Sequence, residues 1–109
     1  MKHKEFVVIL DKSGNEKIRV RISTEKGILI DVLFQYESLI NKKWLPIVRY
    51  DCHHGFFHKD ILLANGDKEK IEIVVDSLKA ASIYAVQDLK DRWEWYKERY
   101  LKKLKTKEK

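Results

Sequence analysis

WLPIVRYDCHHGFFHKDILL, residues 44–63, carries three histidines, two aspartates, an arginine and the only cysteine of the chain between Arg49 and Asp60. Its two flanks alternate apolar and polar side chains, and Gly55 at the centre can adopt the left-handed conformation of a tight turn. With 53–56 as a four-residue loop, Cys52 faces Phe57, Asp51 faces His58, Tyr50 faces Lys59 and Arg49 faces Asp60. Val48, Tyr50, Cys52, Phe57, Ile61 and Leu63 then line one side of a hairpin. Arg49, Asp51, His58 and Asp60 gather on the other, directly opposed Cβ atoms being about 5 Å apart. Lys59 is the misfit, a charge on the apolar side. A loop longer or shorter by one residue would scatter the polar group.

Reading outward, the same alternation continues. KEFVVILD (4–11) is a strand, KSGNE a tight turn, and KIRVRIST (17–24) sets Ile18, Val20 and Ile22 against Lys17, Arg19 and Arg21. ILIDVLFQYESLI (28–40) places Ile28, Ile30, Val32, Phe34, Tyr36 and Ile40 on one face and still holds Leu29, Leu33 and Leu39 on the other, as a central strand does. Pro46 cannot donate to a ladder and implies an edge position or a bulge. After the hairpin, a three-residue loop at Asn65-Gly66 adds Ile71, Ile73 and Val75 to the apolar side.

Past Asp76 the period changes. Asp76 or Ser77 can cap a helix, and Leu78, Ala81, Ala85, Leu89, Trp93, Tyr96, Tyr100 and Leu104 recur at steps of three and four. A helix from Ser77 to about Leu104 would measure roughly 40 Å, longer than any strand here, so its last turns should overhang. The expected fold class is α+β. A curved antiparallel sheet of about six strands fills residues 1–75 and one long C-terminal helix fills 76–105, in a single domain.

Charged residues make up 37% of the 109, with Lys and Glu heavily used, a bias that suits high temperature. One cysteine allows no internal disulfide, and no run resembles a signal peptide or membrane span, so a cytoplasmic location without membrane contact is expected. The net charge is +6, but residues 97–109 account for +5 of it. That tail is either a solubilising helix end complementing the helix dipole or an electrostatic handle for nucleic acid. Neither a Gly-rich phosphate loop nor a βαβ unit is present, so no cofactor is expected.

Within the polar group, His58 oriented by Asp51 and flanked by Arg49 has the makings of an acid–base centre, with His54 as second proton carrier. An imidazole titrates near neutrality, a carboxylate fixes its tautomer and a guanidinium holds a phosphate, the equipment of a metal-independent ribonuclease. The structural alternative is two cross-strand polar pairs on a solvated face. Cys52, His53, His54, His58 and Asp60 are all potential metal ligands, but His53 and His54 point apart in an extended chain and Cys52 falls on the apolar side, so no metal is expected. On the helix, Trp95 falls off the core stripe. With Arg99, Lys102, Lys103 and Lys105 it could stack and hold nucleic acid, or form a partner interface.

The stretch from Lys42 to Lys70 resembles a group of small archaeal and bacterial proteins with the pattern R-Y-D-x-x-H-G-x-x-H-x-D, matched by Arg49, Tyr50, Asp51, His54, Gly55, His58 and Asp60. More distantly it is similar to the TumE-like toxin components of toxin–antitoxin modules, which carry an aspartate followed by a histidine-rich turn in a small β-rich domain. The likeness spans roughly residues 28–75. It implies RNA as the molecule acted on, an antitoxin-like protein as partner, and ribonuclease chemistry at Arg49, Asp51, His54 and His58. Separately, the overhanging C-terminal helix with Trp95 could pair with a partner or with a second copy of the chain.

Overall fold

A computed structural model of the chain describes residues 1–53 and 56–108, the side chains of His53 and of residues 105–108 excepted. Six strands, β1 (Lys2–Ile9), β2 (Glu16–Glu25), β3 (Ile28–Ile40), β4 (Lys43–His53), β5 (Phe56–Leu62) and β6 (Lys68–Ile73), pair in chain order, each neighbour antiparallel to the last. The helix α1 (Leu78–Glu108) packs on one face of this open sheet. The arrangement is α+β, as the change of period from two to 3.6 requires.

Short turns hold the meander together. Lys26 and Gly27, and then Asn41 and Lys42, take positive φ in pairs, the condition for two-residue hairpins whose twist matches the strands they join. At the β5–β6 turn Gly66 stands at φ +93, and Leu63 and Asp67 close the loop through a 2.9 Å amide–carbonyl bond. Ser77 caps the helix, its hydroxyl accepting the Ala80 amide at 3.0 Å.

Two bulges re-aim side chains. Tyr36 pairs with Val48 but Glu37 with Pro46, leaving Ile47 as the extra residue. Pro46 lies where β4 pairs only with β3, so its missing N–H costs no ladder bond. The second bulge corrects the reading of β3. Ser23 pairs with Asp31 and Thr24 with Leu29, which skips Ile30. The alternation slips there, so Ile28 and Ile30 are exposed while Leu29 packs against the core.

The core lies between sheet and helix. Ile18, Val20, Val32, Phe34, Tyr36, Val48, Tyr50, Phe57 and Ile61 meet Ala81, Ala85, Leu89 and Tyr96. Small residues at Ala81 and Ala85 let the helix approach closely, and Trp93 meets the Tyr36 ring edge-on at 6.2 Å. The helix continues to Glu108, beyond the Leu104 limit expected, because neither Gly nor Pro interrupts it.

Candidate functional site

Hairpin β4–β5 pairs Cys52 with Phe57, Asp51 with His58, Tyr50 with Lys59 and Arg49 with Asp60, the register expected from its alternation. Arg49, Asp51, His58 and Asp60 therefore share the sheet face turned away from α1. Neighbouring strands add Leu33 and Gln35 from β3 and Lys70 and Glu72 from β6 to that face. His54, Gly55 and the side chain of His53 lie outside the described residues.

Hydrogen bonds knit one half of this face together more fully than the other, although Glu37 Oε1 within the bonded half is itself buried without a hydrogen-bond partner. Arg49 Nε donates to Gln35 Oε1 at 2.7 Å, Gln35 Nε2 donates to Glu37 Oε2 at 2.6 Å, and Glu37 meets Arg19 at 3.3 Å and Lys17 at 3.8 Å. The Lys17 ammonium sits 3.8 Å from the centre of the Trp44 ring. Past Arg49 the chain of bonds stops. Among the described residues no hydrogen bond joins Asp51 to His58 and no ion pair joins Arg49 to Asp60, although both pairs are directly opposed. His58 Nδ1 and Asp60 Oδ1 are buried with no hydrogen-bond partner. Their residues stand two apart on β5, so both project from the same side of one strand. Native proteins leave few such atoms, since each forgoes about 1–3 kcal/mol of solvation unless a ligand or water serves it. Arg49, Asp51 and His58 are only partly buried.

The opposite face holds a cluster to which the sequence motif contributes only Tyr50. Lys59 and Asp88 are both buried, and Asp88 Oδ2 accepts from Tyr50 at 2.5 Å, from Tyr96 at 2.7 Å and from Lys59 at 3.2 Å. Lys59 also donates to the Tyr96 hydroxyl, and Arg92 approaches Asp88 Oδ1 at 3.5 Å. Burial pulls the Lys59 ammonium below its ordinary value, opposed by the Asp88 charge. Burial alone would raise the Asp88 carboxyl, but hydrogen bonds from Tyr50 and Tyr96 and the Lys59 charge outweigh it and hold it below the usual carboxylate range. Both tyrosines are pushed well upward, chiefly by burial and then by their bonds to Asp88, and so remain protonated donors. A smaller pairing repeats the theme nearby, where buried Glu16 accepts from Tyr36 at 2.6 Å and from Lys97 at 2.7 Å. The clue to the larger cluster was Lys59 itself. A cation at an apolar position calls for an anion at another, and Asp88, three residues after Ala85 on the helix stripe, is that anion.

On the outer side of α1, Trp95 is 44% exposed and its ring is flanked by the guanidinium groups of Arg92 at 4.7 Å and Arg99 at 5.0 Å. Arg99 is clasped by Glu69 of β6, with contacts of 2.7 and 3.3 Å. That pairing holds the Glu69 carboxyl below its usual range. Lys102 and Lys103 are exposed further along the helix, and the Lys105 side chain lies outside the described residues. The sheet separates this stripe from His58, so the two sets of candidate residues do not form one continuous site. Cys52 borders the core on the helix side. Among the described residues, no three His, Cys, Asp or Glu side chains are grouped to hold a metal. No described helix is long and apolar enough to cross a membrane.

These features define a small α+β protein whose open meander carries a polar group on the hairpin face away from the helix, with the helix sealed to its back. The chain belongs to the family described as Domain of unknown function (DUF7718), whose model matches residues 1–106 and so takes in the first hairpin, the polar face and nearly all of the helix. No curated protein and no solved structure matches it.

Proposed function

We propose that this protein acts on RNA at the sheet face away from the helix, as a metal-independent, toxin-like ribonuclease. The observation that carries this reading is the unfinished half of that face, where Arg49, Asp51, His58 and Asp60 converge and His58 Nδ1 and Asp60 Oδ1 lack partners. In the proposed reaction His58 takes the proton of a ribose 2′-hydroxyl as its oxygen attacks the adjacent phosphorus. The bond from phosphorus to the 5′-oxygen breaks, and His54 returns a proton to that leaving oxygen. Arg49 faces the phosphate and offsets the charge that gathers there. Asp51, opposite His58, sets the imidazole tautomer once substrate draws the two together, since such bonds often tighten only in the complex.

Incubating the purified protein with a mixed-sequence RNA at pH 7 should give cleavage that falls away on both sides of neutrality. His58→Ala should lose at least a hundredfold in rate with an unchanged thermal melt, and full activity in that variant would remove the mechanism. A second reading rests on the lysine-rich helix end, where exposed Lys102 and Lys103 would hold phosphates beside the Arg92–Trp95–Arg99 stripe and its exposed indole. In that non-catalytic reading, deleting residues 101–109 abolishes a strongly salt-dependent binding; in the first it spares cleavage.

A further inference from the structure

The two edges of the sheet are guarded very differently. Strand β6 is charged at Lys68, Glu69, Lys70 and Glu72, and Arg99 reaches across to it from the helix. Charge along an edge is a common defence against pairing with other chains. Strand β1 has no such cover over its second half. Phe6, Val7 and Ile9 are 42%, 48% and 57% exposed, and no charge lies between Glu5 and Asp11. Its first half is basic on balance, with Lys2 and Lys4 exposed beside one acid, Glu5, and next to it lies a hollow of about 360 Å³ lined by Lys2, His3, Lys4, Ile22 and Thr24.

The backbone of this edge is set to pair. The Leu10 amide donates to the Glu16 carbonyl at 2.9 Å, and Leu10 continues the β1–β2 register. Alternation then turns the amides of Val8, Phe6 and Lys4 toward β2 and those of Val7, Glu5 and His3 outward. Self-pairing suits this edge poorly. Two antiparallel copies would set the lysines of one against the apolar half of the other, and two parallel copies would set lysine beside lysine. The pattern is complementary to a strand that is apolar in one half and acidic in the other.

We infer that the β1 edge is a docking site for an extended segment of a partner protein, added antiparallel as a seventh strand, with its apolar half against Phe6–Ile9 and its acidic half against Lys2 and Lys4. Main-chain bonds would supply affinity and the two halves would set direction. The proposal stands independently of any nuclease activity on the other surface.

A capped octapeptide serves as the probe, with alternating Val and Thr in its first half and Glu and Asp in its second. Titrated into the full chain, it should bind, and replacing its acidic half by lysines should weaken binding at least tenfold. Val7→Pro removes an outward amide and leaves the β1–β2 ladder whole, so it too should lose at least tenfold while melting as the wild type does. If that variant fails to fold, hydrogen exchange decides instead: the peptide should slow the amides of Glu5 and Val7. Equal affinity for the lysine peptide, no binding at millimolar peptide, or unchanged exchange at Val7 would overturn the proposal. So would a dimer of the protein alone that Val7→Lys dissolves, since the edge would then belong to a second copy.

Discussion

The two faces of hairpin β4–β5 carry polar groups one residue apart in the same strands, with opposite outcomes. On the helix side Tyr50 and Lys59 converge with Tyr96 and Arg92 on a single carboxylate, and every partner is engaged. On the far side Asp51, His58 and Asp60 come just as near in the ladder, yet two of their buried polar atoms are unserved. The helix makes the difference. It brings Asp88 to the back of the hairpin and excludes water, so charges there either pair completely or cost several kcal/mol. Solvent borders the front, where an unfinished group is tolerable and can be completed by something that binds. A satisfied cluster of this kind holds the fold together, whereas the front group keeps polar atoms that nothing in the fold serves.

The comparison can be broken most directly at Asp88. Asp88→Ala leaves Lys59 buried without its anion and two tyrosine hydroxyls without their acceptor, and should cost about 3–5 kcal/mol in urea unfolding. A loss below 1 kcal/mol would mean that the cluster is not what seats the helix.

Acid titration sharpens the same point. Because the folded-state value of Asp88 is depressed, its contribution is complete above the ordinary carboxylate range, about pH 4, and disappears as pH falls through the lower folded value. Between pH 5 and pH 2 the wild type should therefore lose more stability than Asp88→Asn, whose side chain does not titrate. Parallel curves for the two would sink the assignment. The smallest effect belongs to the front face. Asp60→Asn should change stability by no more than about 1 kcal/mol, because Asp60 Oδ1 has no bond to lose. A cost there matching that of Asp88→Ala would reverse the contrast.

Much of this was legible in advance. The alternation in residues 44–63 allows one register that keeps Val48, Tyr50, Cys52, Phe57 and Ile61 together, so the grouping of Arg49, Asp51, His58 and Asp60 could be read from spacing alone. What escaped the reading depended on contacts between residues far apart in the chain. The slip at Ile30 reverses the faces of Ile28 and Leu29, and nothing local to ILID announces it. Lys59 looked like an error of register, and only its partner 29 residues further on makes it a core residue. Nor does spacing tell whether opposed side chains bond, and Asp51 and His58 do not.

By itself the sequence determined the α+β class, the register of the β4–β5 hairpin and the core stripe of the helix, and it narrowed the cap to Asp76 or Ser77, because these follow from periodicity and turn chemistry acting over a few residues. Only the tertiary structure decided which face the helix would cover. Burial is a property of the assembled chain, and it divides the hairpin's polar residues into a sealed ion cluster behind and an incomplete, partly buried one in front.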